Sequence, residues 1–286
     1  MKMSSTDPSP RPPERPAAVD RPVRPDWMHR KLRVLPVIVG INVVVFLLWL
    51  VAVRGSDLWA FMATNFLVST HRLEQGMWWT LVTAAFSHQE LWHLALNMIV
   101  LWSFGSVLER LVGVRVFTVF YLVAAVFSSA SHCFVSSFLM HNDQLSALGA
   151  SGAVSGVLIA FALLFPRNKI LLFGVIPIPA LIGALLFVGL DLWGLTAQTR
   201  GAALPIGHGA HLGGALCGFV FWAIYLRGRF SGSLGHGAGG PGSVALSTEE
   251  AAEFNRIREK LESGGPASLT PKELAFIQGL RDRALR

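Results

Sequence analysis

Six apolar stretches, each near the roughly 20 residues a helix needs to cross a bilayer, dominate this chain. They run from about Val34 to Val53, Leu91 to Leu108, Val114 to Val135, Ser151 to Phe165, Ile178 to Leu195 and Gly209 to Tyr225. The fourth is short, as suits a helix surrounded by the others. The fifth follows a lead-in interrupted by Pro177 and Pro179. Only 14% of the 286 residues are charged, and 52% are hydrophobic. The expected fold is therefore an all-α membrane protein built as a six-helix bundle.

The ends read differently. Residues 1–33 are rich in Pro and Arg and are expected to form a disordered, cytoplasmic N-terminus. They lack the apolar core of a secretory signal, and Asp7, Glu14, Asp20 and Asp26 argue against a mitochondrial transit peptide, so no removable leader is expected. Residues 34–228 form the membrane core. Residues 229–245 read as a Gly/Ser-rich linker. In residues 246–286, Ser247-Thr-Glu-Glu250 and Thr270-Pro-Lys-Glu273 fit the pattern of a capping box, which predicts a small cytoplasmic helical hairpin.

The formal net charge of +7 does not point to nucleic acid, because the basic residues cluster beside apolar stretches. Arg21, Arg24, Arg30, Lys31 and Arg33 precede the first stretch. Arg110, Arg115, Arg167, Lys169, Arg227 and Arg229 occupy alternate connections, whereas the remaining loops hold Arg54, Arg72 and Arg200. This bias predicts both termini on the cytoplasmic side, with a bacterial inner membrane as the default. Cys133 and Cys217 lie in apolar segments without metal-type spacing and read as small buried side chains.

Three polar strings interrupt the apolar runs: His88-Gln-Glu-Leu-Trp-His93-Leu-Ala-Leu-Asn97, Gly149-Ala-Ser151-Gly152 and Gly209-Ala-His211-Leu-Gly-Gly214. Polar groups inside lipid are costly and want partners. By the charge bias, the second, fourth and sixth stretches enter from one face, so His93, Asn97, Ser151 and His211 fall at similar depth. Ser151 opens a helix between Gly149 and Gly152, where an approachable hydroxyl meets free N–H groups and the positive end of the helix dipole. The same string also fits plain helix packing. His211 has the chemistry of a general base. Small residues (Gly152, Gly156, Gly209, Gly213, Gly214, Gly218) allow the fourth and sixth helices to approach closely. His208, one turn from His211, competes as the base. A metal held by His208 and His211 is disfavoured because no third ligand set is evident. His93 and Asn97, four residues apart, share a helix face and can donate to an oxyanion. His88 reads as structural, holding the adjacent loop.

Together these residues resemble the rhomboid family of intramembrane serine proteases. The pattern His-x-x-x-x-His-x-x-x-Asn falls on His88, His93 and Asn97, Gly-x-Ser-Gly on Gly149 to Gly152, and Ala-His-x-x-Gly on Ala210 to Gly214. Phe104-Gly105 and Leu108-Glu109 resemble the family's second-helix exit. The likeness covers roughly residues 34–228. It implies a rhomboid-like bundle with a water-filled cavity, Ser151 as nucleophile, His211 as base and no carboxylate partner. It also implies His93 and Asn97 as oxyanion stabilisers, with Gly149 and Gly152 as backbone support. No cofactor or metal is expected. The implied partners are the lipid bilayer and single-span membrane proteins, cut in or near the bilayer, with the fifth helix as a lateral gate. The rival reading is a catalytically silent relative that binds membrane-protein clients. A transporter is disfavoured, because paired inverted repeats are not evident. Two positions depart from the family pattern. Trp79 is followed by Thr80 rather than Arg, so the first loop must be braced without that arginine. Ser155 stands where many members carry an aromatic residue beneath the histidine, so His211 must be held differently.

Overall fold

The computed structural model describes residues 26–172, 175–202, 204, 206–234, 247–265 and 268–284. Six helices make the core: α1 (Val34–Val51), α2 (Leu91–Val112), α3 (Val114–Leu139), α4 (Ser151–Leu164), α5 (Ala180–Thr199) and α6 (His208–Phe230). All but α4 are long and apolar enough to cross a membrane, so five of the six expected stretches meet that measure among the described residues. Helix α4 has 14 residues and is only about 21 Å long. Gly152 to Val157, Ile159 to Ala162 and Leu164 are all buried. A helix that is apolar all round belongs in the interior, and α4 is the bundle's axis.

The main core packs Leu35 of α1, Leu108 of α2, Phe117, Tyr121 and Ala124 of α3, and Ala153, Val157 and Ala160 of α4. Trp27, in the N-terminal segment, also reaches this cluster. Residues 1–25 and 235–246 lie outside the described residues, whereas the first part of the expected 229–245 linker is helical, within a helix that spans Arg227–Leu234. On the outside of the bundle, Val44, Leu47 and Leu50 of α1, and Leu185, Leu192 and Trp193 of α5, are exposed apolar side chains, which suits lipid rather than water.

A buried carboxylate starts α1. Glu109 of α2 accepts the backbone N–H groups of Arg33, Val34 and Leu35 at 2.6, 3.0 and 2.8 Å. Helix starts leave such donors unpaired, and no side chain at the cap position itself satisfies them here.

The long connection between α1 and α2 folds into short helices at Asp57–Phe66, Thr70–Glu74 and Thr80–Thr83. Ser56 and Ser69 cap the first two, accepting N–H groups from Trp59 and Arg72. Met62 and Ala63 are buried against Val45 and Trp49 of α1. Between α4 and α5, where Pro177 and Pro179 interrupt the lead-in to the fifth stretch, the chain forms a two-stranded antiparallel hairpin. Strand β1 (Lys169–Leu172) pairs with β2 (Ile176–Pro179), Ile170 facing Ile178. Both prolines can be tolerated because β2 is an edge strand.

After the core, α7 (Thr248–Gly264) and α8 (Pro271–Ala284) carry their expected caps. Ser247 and Glu250 exchange reciprocal side-chain-to-backbone bonds. Glu273 accepts from the Thr270 N–H and from Lys260, which links the two helices.

Candidate active site

Ser151 is the first residue of α4, and the chain enters it through a tightly fixed turn. Gly149 has φ +123°, a conformation that side chains resist, and a methyl group there would lie 2.9 Å from the His93 ring. The first loop pins this approach. Val68 and Ala147 exchange backbone bonds of 3.0 and 2.8 Å, and Gly149 N–H donates to Ala84 O at 2.9 Å. Arg72 donates to Ser146 Oγ at 2.9 Å, Trp79 Nε1 to Asn65 Oδ1 at 3.0 Å, and Thr83 Oγ1 to Asn65 O. The loop is thus braced with Thr80 in place of the family's arginine; Thr80 is itself buried and bonds to Met77 O.

Helices α4 and α6 meet backbone to backbone. A methyl group on Gly214 would collide with the Gly152 carbonyl oxygen, and one on Gly218 with the Gly156 carbonyl oxygen. This approach brings His211 Nε2 to 2.9 Å from Ser151 Oγ, both residues half-buried. The remaining string converges on the same place. His88 is fully buried, and its Nε2 faces the Ala150 N–H at 3.4 Å and Asn97 Nδ2 at 3.3 Å. The His88 and His93 rings meet edge to face, with centroids 4.9 Å apart. Asn97 also donates to His93 O at 2.9 Å, so its amide is engaged within α2 and with His88.

The resemblance implied a histidine with no carboxylate partner, and here the structure differs. Asp191 of α5, 4% exposed, accepts hydrogen bonds at a single oxygen from His211 Nδ1 at 2.9 Å and from His208 Nδ1 at 2.7 Å. Phe187, one turn earlier on α5, stacks on the His211 ring at 5.6 Å between centroids. Ser155, by contrast, donates to Ser151 O at 2.7 Å. His211 is therefore supported from α5 rather than from beneath. Neither Asp191 nor Phe187 was singled out from the sequence. A signal existed for Asp191, the only charged residue between Lys169 and Arg200, in the middle of an apolar span.

Asp191 also supplies the third ligand whose absence counted against a metal. One atom from each of Asp191, His208 and His211 lies within 4.8 Å of the others. Those atoms are engaged in two short hydrogen bonds on one oxygen, and the remaining nitrogen of His211 is turned to Ser151. His208 does not face the serine. Its Nε2 lies against α5, in space that a side chain at Gly194 would occupy.

Residues 75–228, over half of the chain, match the Rhomboid domain. The chain belongs to the rhomboid family. Rhomboid protein 1, mitochondrial, of Saccharomyces cerevisiae is 36% identical over 192 residues, covering 65% of this chain and 52% of that protein. RHOMBOID-like protein 12, mitochondrial, of Arabidopsis thaliana is 31% identical over 224 residues, covering 72% and 64%. Presenilin-associated rhomboid-like protein A, mitochondrial, of Danio rerio is 35% identical over 191 residues, covering 65% and 46%. The chain thus spans about half to two thirds of the length of these rhomboid relatives. Their names overturn one expectation: rhomboid proteins of organelles, not of a bacterial cytoplasmic membrane, are what this chain matches. The bacterial membrane was a default; the charge bias reports which loops share a side, and carries no information about which membrane they border.

Proposed function

We propose that this rhomboid-family chain is an intramembrane serine endopeptidase, working in an organellar membrane on membrane proteins with a single span. The observation that carries this reading is the 2.9 Å contact between Ser151 Oγ and His211 Nε2, across two helices held together by glycine backbones. A serine hydroxyl is a poor nucleophile until a base removes its proton, and a histidine at hydrogen-bond distance is the usual means.

In this reading His211 Nε2 takes the Ser151 proton as Oγ attacks the scissile carbonyl carbon. The negative charge that develops on the carbonyl oxygen is stabilised by the Ser151 backbone N–H at the start of α4, with His93 and Asn97 as side-chain donors. Asn97 must release its bond to His88 or to His93 O to take part. Collapse of the tetrahedral intermediate breaks the C–N bond, and His211 returns the proton to the leaving amine. A water then repeats the sequence on the acyl-enzyme, with His211 again as base. His88, bonded toward Ala150, and Gly149 hold the turn before the nucleophile; Gly152 admits Ser128 of α3.

The test is cleavage of a single-span substrate in proteoliposomes by the wild type, Ser151→Ala and His211→Ala. Cleavage by the wild type alone is the expected result, with losses of at least about 10³-fold in each variant. Cleavage that persists in purified Ser151→Ala protein defeats the mechanism. A wild type that binds such substrates without cutting them favours a client-binding relative.

A further inference from the structure

Asp191 has a carboxylate buried in an apolar helix, a position that membrane proteins tolerate for paired and working groups. Its Oδ1 lies 2.9 Å from His211 Nδ1 and 2.7 Å from His208 Nδ1. We propose that Asp191 is a positioning residue that sets His211 as the base, itself held in place by His208, so that Ser151, His211, Asp191 and His208 form one hydrogen-bonded chain. This deepens the peptidase reading and rests on it.

The argument begins with tautomers. An ionised carboxylate accepts and cannot donate, so both Nδ1 atoms at Oδ1 carry hydrogens. With its hydrogen on Nδ1, His211 presents a lone pair at Nε2, and that lone pair faces Ser151 Oγ. The opposite tautomer would place a hydrogen at Nε2 and leave nothing there to receive the serine proton. When His211 is protonated in the reaction, its positive ring lies against a negative carboxylate in a water-poor setting, where that attraction is strong. Phe187 fixes the plane of the ring from the same helix.

His208 completes the arrangement. It bonds to the same oxygen on the shorter of the two contacts, so two rings hold one oxygen of the carboxylate. Its ring fits because residue 194 has no side chain; a methyl group there would collide with the imidazole. Asp191 and Gly194 on α5 therefore receive His208 and His211 on α6, each pair spaced by one turn. The pairing accounts for a second histidine that the peptidase mechanism leaves idle.

Full-length wild type, Asp191→Asn, Asp191→Glu, His208→Gln and Gly194→Ala are compared in proteoliposomes for kcat and KM on a single-span substrate. Ser151 labelling by a fluorophosphonate and thermal unfolding are followed alongside. In Asp191→Asn, kcat and labelling rate fall about 10²- to 10⁴-fold while KM stays within about threefold. Asp191→Glu recovers part of the loss, and His208→Gln and Gly194→Ala each lower kcat about tenfold. The ¹⁵N spectrum of His211 moves from the Nδ1–H to the Nε2–H tautomer in Asp191→Asn. Retention of wild-type kcat by Asp191→Asn overturns the proposal, as does an equal loss in Asp191→Glu accompanied by lowered unfolding temperature. If Asp191→Asn does not fold, unchanged kcat in both His208→Gln and Gly194→Ala overturns it. A wild type that neither cuts nor labels defeats the peptidase reading itself, a result distinct from an active wild type indifferent to Asp191.

Discussion

Glu109 and Asp191 are two buried acids with different work. Glu109 serves the backbone, accepting three N–H groups that α1 leaves open at its start. Hydrogen bonds to a charged acceptor contribute about 1.5–3 kcal/mol each, and they are not additive when they share one group. Glu109→Ala is expected to cost roughly 3 kcal/mol, and Glu109→Gln about half of that, read from denaturant unfolding in micelles. Asp191 serves two side chains instead, and this difference decided which acid was legible in the sequence. Glu109 stood beside a familiar Phe-Gly and Leu-Glu spacing, whereas Asp191 pairs with histidines 17 and 20 residues away, beyond any local pattern. Ser151, His211, His93 and Asn97 were legible because each is a polar interruption in an apolar run, and Ser151 and His211 also stand among small residues. Which nitrogen of each histidine meets which partner was not, since that depends on how helices from three separate stretches are rotated against one another.

Helices α4 and α6 show how little tolerance an element pair can have. Gly214→Ala directs a methyl group into the Gly152 carbonyl, a backbone atom that cannot swing aside. The variant is expected to lose about 2–3 kcal/mol of stability and most of its cleavage activity, checked by unfolding and by substrate turnover on the same preparation. The α7–α8 hairpin answers to pH instead. Bonds from the Thr270 N–H, Lys260 and the Thr270 hydroxyl lower the Glu273 carboxyl from 4.5 to about 2. A lowered acid stabilises the folded form above its unfolded value and loses that effect as pH falls. Protection of the Thr270 amide in the full chain should therefore hold at pH 6 and decline between about pH 4.5 and 2, by hydrogen exchange. Glu273→Gln should remove this dependence. The caps of this hairpin were plain in the sequence because capping is a rule about four adjacent residues. The strand pair β1–β2 was not, because four-residue apolar runs beside prolines carry no usable period.

For the molecule as a whole, the residues brought together at Ser151 all lie between His88 and His211, well before residue 235. Removal of residues 235–286 should leave substrate turnover within about twofold of the full chain, measured in proteoliposomes. A larger loss would give the hairpin a role in the reaction. The bundle was legible from hydropathy, the short α4 included, because an apolar run of that length suits a helix that its neighbours surround. Which membrane the bundle occupies was not legible, since apolar length and basic loops follow the same physics in every bilayer. The glycine seam between α4 and α6 has one more consequence. Side-chain rotamers usually set the reach between two polar groups, but between Ser151 and His211 two touching backbones limit it. The separation of the backbones that carry Ser151 and His211 is a dimension of the scaffold. Substitutions on the exposed apolar sides of α1 and α5 then leave that separation unchanged.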